Sequence, residues 1–297
     1  MYWSTHSRPV PLEELGWINT TYLSSAVPRC DPMLFWGTTI EIEPLEAFLA
    51  EQRRSTGRIV SPAHYLVFAV ARSLMEHPEV NRRVIGRRVY QYDGVNIVMP
   101  MLQTSTGEVD CVFLHHAEQM SVSDVAGHFW NEARGKAVAF AEEKRRRQSG
   151  WSWKSLGLAI AKRLDLLWIR WMSPVGFFAA NHWRFPTVWA WQQELNGANA
   201  FVNYLGFPGA PPLIAHKAAA LPMNAYSVLV TMGPAELKPV VVDGAIVIRK
   251  QATLFVRLDH RLVNGHQAAA FVSTLRTHLT NPQSATMEES SAERRAA

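Results

Sequence analysis

The sequence predicts an α+β domain built on a large mixed β-sheet flanked by helices. Three observations predict it. Strand-type runs recur at 34–43, 87–92, 95–101, 109–114, 200–205, 227–233, 239–242, 245–249 and 252–258. Helical patterns at 44–54, 62–77, 121–132 and 265–279 fall among them without the strict alternation of a parallel strand–helix–strand sheet. Two Asp-Gly pairs, Asp93-Gly94 and Asp243-Gly244, stand between strand runs as turns.

Residues 1–30 are loop-like, with one short amphipathic piece over 12–23. LFWGTTIEIE (34–43) alternates and is rich in β-formers. Pro44 opens a helix whose Leu45, Phe48 and Leu49 share one face. Ser61-Pro62 opens another, with Leu66, Ala69, Val70 and Leu74 at helical spacing, and His77-Pro78 stops it. Ser121, followed three residues later by Asp124, reads as a capping-box variant. AEEKRRRQSG (141–150) reads as a solvated charge run and a boundary. Residues 155–172 form a basic amphipathic helix candidate, ended by Pro174. Ala269, Phe271, Val272, Leu275 and Leu279 mark the closing helix. The tail at 282–297 is polar and expected to be disordered.

Composition excludes several classes. The chain has 297 residues, 48% hydrophobic and 19% charged, too apolar for disorder. Cys30 and Cys111 give neither a disulfide framework nor a zinc-site spacing, so no metal is expected, and each reads as a small buried side chain. Nothing calls for an oxidising compartment, and no secretory signal or membrane-spanning run is present, which points to the cytoplasm. The net charge of +5 is local: residues 134–163 hold nine Lys/Arg against two Glu, so the rest sums to −2. A nucleic-acid partner is therefore not expected. Seven of the 11 Trp lie between Trp151 and Trp191, beside that basic stretch.

The chemistry-bearing stretch is LFVRLDHRLVNG (254–265): a β-run ends in Asp259-His260-Arg261, a tight Asn264-Gly265 turn follows, and a helix starts. A histidine held at a strand end suits a general base, because imidazole titrates near neutrality. By spacing alone, a satisfied structural histidine is the commoner reading.

LDHRLVNGHQAAAFVSTLRTHL (258–279) resembles the closing signature of the catalytic domain of the 2-oxoacid dehydrogenase acyltransferase (dihydrolipoamide acyltransferase) family, which shares the chloramphenicol acetyltransferase-like fold. Residues 74–100, AFVNYLG (200–206) and PVVVDGAIVIR (239–249) resemble further motifs of that family in the same order. The resemblance covers roughly 9–135 and 198–281. It implies a two-layer fold, one acyltransferase-like domain over 1–281, and a Trp-rich, basic insert at about 136–198. It implies acyl transfer between a thioester and a thiol, hydroxyl or amine, with coenzyme A or acyl-CoA as substrate and His260 as the base. It places Asn203 where the family stabilises an oxyanion, and Asn264 where the family usually has Asp. WINTTYL (17–23) has none of the Arg that usually accompanies that Asp, so the pair is lost together as a neutral variant. No lipoyl attachment site is seen, so a stand-alone enzyme is expected. The resemblance also implies a homotrimer with active sites between subunits, and the polar tail argues against larger cores.

Other candidates are weaker. His115-His116 lacks the Asp-Gly of the condensation-enzyme motif and reads as a strand end or surface pair. His182 sits in the aromatic segment, as a channel residue or as packing. Arg249, Lys250 and Arg257 could meet coenzyme A phosphates or be scattered surface charge. The insert admits three readings: an apolar lid, a membrane-contacting helix near 155–172 that would make the protein membrane-associated, or extra packing. Two further functions compete with acyl transfer: a non-catalytic trimeric scaffold, and a same-fold enzyme recruited for condensation or cyclisation.

Overall fold

The computed structural model describes residues 7–11, 14, 33–85, 88–102, 109–148, 198–206, 209 and 226–283. Their elements are β1 (Ser7–Pro9), β2 (Met33–Glu41), α1 (Glu43–Thr56), α2 (Pro62–Glu76), β3 (Arg82–Ile85), β4 (Arg88–Tyr92), β5 (Ile97–Leu102), β6 (Val109–Leu114), α3 (Val122–Gln148), β7 (Ala200–Tyr204), β8 (Val228–Val242), β9 (Ala245–Asp259) and α4 (Gly265–Thr280). The main sheet has six strands in the order β2-β9-β8-β7-β5-β6, and a smaller one runs β1-β4-β3. The large sheet is mixed: β7 runs parallel to both β5 and β8, and the other pairs are antiparallel.

Strand alternation divides the large sheet into two faces. Ile40, Ile97, Met99, Val112, Leu114, Val202, Val230, Leu254, Val256 and Leu258 point into one core with the helices. Helix α2 is buried over Tyr65–Ala71 on every side, because α3, α4 and the sheet all pack on it. Its start follows the sequence: Ser61 caps, Pro62 takes the first turn, and Ser61 N donates to His64 Nδ1 at 3.2 Å. His64 thus fills the position that Glu or Gln holds in a capping box. Ser121 and Asp124 cap α3 reciprocally, with Ser121 N donating to Asp124 Oδ2 at 3.2 Å and Asp124 N to Ser121 Oγ at 3.1 Å.

Four expectations change. The Asp93-Gly94 turn does not join a hairpin: β4 lies in the small sheet and β5 in the large one. The chain crosses between sheets there, and a Cβ on Gly94 would run into the His116 ring. The runs at 227–233 and 239–242 are one strand, β8, because a bulge between Met232 and Ala235 absorbs Gly233-Pro234 without ending the pairing. The runs at 245–249 and 252–258 likewise merge into β9. The helix expected over 121–132 runs on to Gln148, through the charge run, since Ala, Glu, Lys, Arg and Gln are good helix formers. Strand β3, with its two arginines, carries no strand pattern in sequence. The amphipathic pieces at 12–23 and 155–172, Cys30, His182, most of the insert and the tail beyond residue 283 lie outside the described residues.

Candidate active site

Strand β9 ends at Asp259, beside the start of β8, where Asp259 N donates to Ser227 O at 3.0 Å. The turn that follows is held by its own charges. Arg261 Nε donates to Asp259 Oδ1 at 2.9 Å, and Nη2 to Oδ2 at 2.6 Å, a fork-to-fork pair with the carboxylate buried. Arg261 N adds a third donor to Asp259 Oδ1, at 3.0 Å. His260 therefore stands between two residues locked to each other.

The His260 ring is half-buried, and its Nδ1 lies 2.8 Å from Val263 O. A carbonyl oxygen only accepts, so Nδ1 carries the hydrogen. In the neutral ring, Nε2 is then the basic nitrogen. The turn that supplies this carbonyl is closed by Leu262 N donating to Asp259 O at 3.0 Å.

Asn264 caps α4. Its Oδ1 accepts from Gln267 N at 3.0 Å, while Gln267 Oε1 accepts from Asn264 N at 3.0 Å. The asparagine that sequence reading placed at the site anchors the helix following the histidine.

Asn203 is elsewhere. It sits on β7, on the face away from the core, in register with Thr231 of β8, which pairs with Phe255 of β9. From Phe255 to His260 the chain advances five residues, so two strand spacings and that advance separate the two backbones by about 19 Å. One chain brings His260 and Asn264 together but not Asn203.

Other candidates are relocated. Arg257 is 2% exposed, so it is not surface charge; its Nη2 donates to Tyr226 O at 3.1 Å and ties the start of β8 to β9. Lys250 Nζ pairs with Glu46 at 2.6 Å, and Arg249 is exposed on the β8–β9 hairpin. His115 and His116 are exposed just past β6, as a strand-end pair; His116 lies 3.1 Å from Glu118 Oε1, and its backbone N donates to Asn96 Oδ1 at 3.1 Å. Cys111 is half-buried rather than buried, because it lies on an edge strand and faces away from the core that Val112 enters.

Two features escaped the sequence reading. The first is Tyr226, packed on Phe201 with ring centroids 5.3 Å apart. Burial raises its phenol pKa, Cys111 and Tyr92 add to the rise, and Arg83 opposes it. The second is a row of asparagines at the starts of β5 and β7: Asn199 N donates to Asn96 O at 3.1 Å, Asn199 Nδ2 to Asn81 Oδ1 at 3.3 Å, and Asn81 Nδ2 to Gly94 O at 3.1 Å. Single asparagines far apart in sequence give no signal of such a network. Among the described residues, no group of three or more His, Cys, Asp or Glu side chains is arranged to hold a metal ion. No described helix is long and apolar enough to cross a membrane.

Residues 193–287 match the family model of the 2-oxoacid dehydrogenases acyltransferase (catalytic domain). The lipoamide acyltransferase component of the branched-chain alpha-keto acid dehydrogenase complex of Pseudomonas aeruginosa is 34% identical over 102 residues, 33% of this chain. The matched stretch spans 22% of that relative's length. Among solved structures, the dihydrolipoamide acetyltransferase of Azotobacter vinelandii superposes with a TM-score of 0.54 at 19% identity, covering 94% of this chain and 93% of that one. A probable dihydrolipoamide acetyltransferase from Listeria monocytogenes gives 0.54 at 14% identity, over 92% of this chain and 94% of that one. A chloramphenicol acetyltransferase gives 0.52 at 14% identity, over 92% and 99%. The fold is thus chloramphenicol acetyltransferase-like. By sequence over residues 193–287, the chain is related to the acyltransferase catalytic domains of 2-oxoacid dehydrogenases. Over 33–148 the likeness to these structures is one of fold alone.

Proposed function

We propose that the protein is a coenzyme A-dependent acyltransferase with His260 as general base. The observation that carries this reading is the 2.8 Å contact from His260 Nδ1 to Val263 O, which leaves Nε2 as the proton acceptor. A thiol ordinarily titrates near 8.5, so at neutral pH a positioned base raises the thiolate available for attack. Nε2 takes the proton from the acceptor thiol as sulfur attacks the thioester carbonyl. The carbonyl π electrons move to oxygen, and a tetrahedral oxyanion forms. On collapse the C–S bond of the donor breaks, and the departing thiolate takes the proton from Nε2. Nδ1–H stays on the Val263 carbonyl throughout, so the ring keeps its orientation and its tautomer.

Asn203 supplies the oxyanion donor through Nδ2. The separation of about 19 Å along the sheet excludes that role toward His260 of the same chain. A homotrimer, in which the partner subunit's Asn203 meets His260, resolves the distance. The structure of the Azotobacter relative accompanies an investigation of a serine, a histidine and an asparagine in its catalytic mechanism, the last two four residues apart. His260 and Asn264 have that spacing. Asn264 acts here by anchoring the helix behind the turn.

His260→Ala, assayed chromatographically for conversion of an acyl-CoA to free coenzyme A with a dithiol acceptor, tests the reading. The expected result is a loss of at least 100-fold in turnover with cooperative unfolding retained. Unchanged turnover overturns it, as does the absence of turnover in the wild type across acyl-CoA chain lengths, which leaves a non-catalytic scaffold.

A further inference from the structure

Strands β8 and β9 outrun the rest of the sheet. β7 stops at Tyr204, opposite Met232, and β2 stops at Glu41, opposite Gln251. Beyond those ends the two strands pair only with each other, from Lys238–Arg249 to Val242–Ala245. The turn at the tip has φ of 52° at Asp243 and 79° at Gly244, as a tight two-residue hairpin of this twist requires. The arm is regular and narrow.

Its two faces differ. Leu258, Val256, Leu254 and Ala252 face the core, and alternation carries that face on through Lys250 to Ile248 and Ile246. Their partners on β8, in register, are Leu237, Pro239 and Val241. Leu237 is 73% exposed, Val241 72%, Ile246 78% and Ile248 69%. The core face of the sheet therefore continues past the helix layer as a bare apolar surface. The opposite face begins with polar residues, where Glu236 and Lys238 pair at 3.2 Å and Arg249 stands across from Lys238. Toward the tip the opposite face is apolar too, with Val240 across from Val247 and Val242 across from Ala245, but those valines are half-buried, so the bare apolar surface lies on the core side.

The bare face amounts to about 500 Å2, within the range at which an exposed apolar patch on one chain marks an interaction site. That is more than half of what one partner gives to an interface of standard size, about 800 Å2. We infer that the face formed by Leu237, Pro239, Val241, Ile246 and Ile248 packs on a second copy of this chain and is a principal contact of the assembly. The choice of a second copy rests on the oligomeric reading above: the candidate site is incomplete in one chain, and this face is the large apolar surface that one chain leaves uncovered among the described residues.

The test is the double substitution Ile246→Lys/Ile248→Lys in the full chain, with the molar mass measured by light scattering after size exclusion. The wild type is expected to be an oligomer and the variant to fall to the single-chain mass of 33.4 kDa. Lys238→Ala, on the opposite face, should keep the wild-type mass. If the double variant does not fold, Leu237→Lys asks the same question. It should raise the concentration at which the oligomer dissociates at least tenfold, and an unchanged value overturns the inference. An oligomer that survives the double substitution overturns the inference and leaves the catalytic reading standing. A wild type of single-chain mass overturns both this contact and the shared site. Binding of such a single chain to anionic phosphatidylserine vesicles, lost in the double variant, would assign the face to a lipid surface instead. His260→Ala should leave the mass unchanged, which separates assembly from chemistry.

Discussion

Asp259 and Arg261 grip each other across His260, with Arg261 Nη2 2.6 Å from a carboxylate oxygen that is almost fully buried. This pair fixes the backbone on either side of the histidine, and the Val263 carbonyl orients its ring. Asp259→Asn keeps the shape but removes the charge, and a hydrogen bond to a charged group contributes about 1.5–3 kcal/mol. The expected outcome is a turnover reduced more than tenfold, with a smaller change in KM and a lowered unfolding midpoint. Steady-state kinetics and urea denaturation check both. Arg261→Met should be the more destabilising change, because it leaves a buried carboxylate without its counterion.

Asn264 separates helix anchoring from chemistry. Asn264→Ala removes the cap and should cost about 1 kcal/mol, whereas Asn264→Asp keeps an acceptor oxygen at the helix start and should unfold near the wild-type urea midpoint. If Asn264 acts through the helix, activity will track stability across the two variants. Activity lost from Asn264→Asp at unchanged stability would give the amide a role of its own.

The start of α2 sets a limit in acid. Burial among apolar groups, including the Phe129 ring 5.1 Å away, lowers His64 from its ordinary 6.5 to about 4. The unfolded chain takes up this proton near pH 6.5 and the folded chain only near pH 4. Between those values the unfolded state binds more protons, so stability falls as pH falls, by up to about 3 kcal/mol. His64→Gln retains an acceptor for Ser61 N and cannot titrate there. Urea midpoints measured from pH 7 to pH 4 should decline less steeply in this variant than in the wild type.

A fourth expectation concerns the end of β7. A Cβ on Gly206 would overlap the phenol end of Tyr204, whose ring packs against the core. Gly206→Ala should cost about 1–3 kcal/mol, the usual range for overpacking. Tyr204→Leu should remove most of that penalty in the double variant. A cycle of four chemical denaturation curves measures the coupling.

Much of this was legible in the sequence, and the parts that were not share a cause. The strand ending in Asp259-His260-Arg261, the helix after Asn264 and the capped start of α2 follow from residues within one turn of each other. The longer reach of β8 does not, since only pairing with β9 shows that Gly233-Pro234 is a bulge rather than an end. The parting of β4 from β5 at Asp93-Gly94 is equally invisible, because a turn signal reports a change of direction and not the sheet that receives the chain. Arg257 looks like surface charge until the carbonyl of Tyr226 and the covering of its strand are in place. The distance of Asn203 from His260 depends on strand order, which local patterns do not encode.

The place of β9 between β2 and β8 has a consequence for the chain as it is made. Strand β2 ends at Glu41 and its partner β9 begins at Ala245. At about 5–20 residues per second, roughly 10–40 s of synthesis separate the two. Until then Ile40 and Trp36 have no sheet to join, and β7 has no β8. The large sheet can close only when the last quarter of the chain has left the ribosome, so its apolar early strands must be shielded, by a holdase or by transient contacts of their own, for most of the time the protein takes to be born.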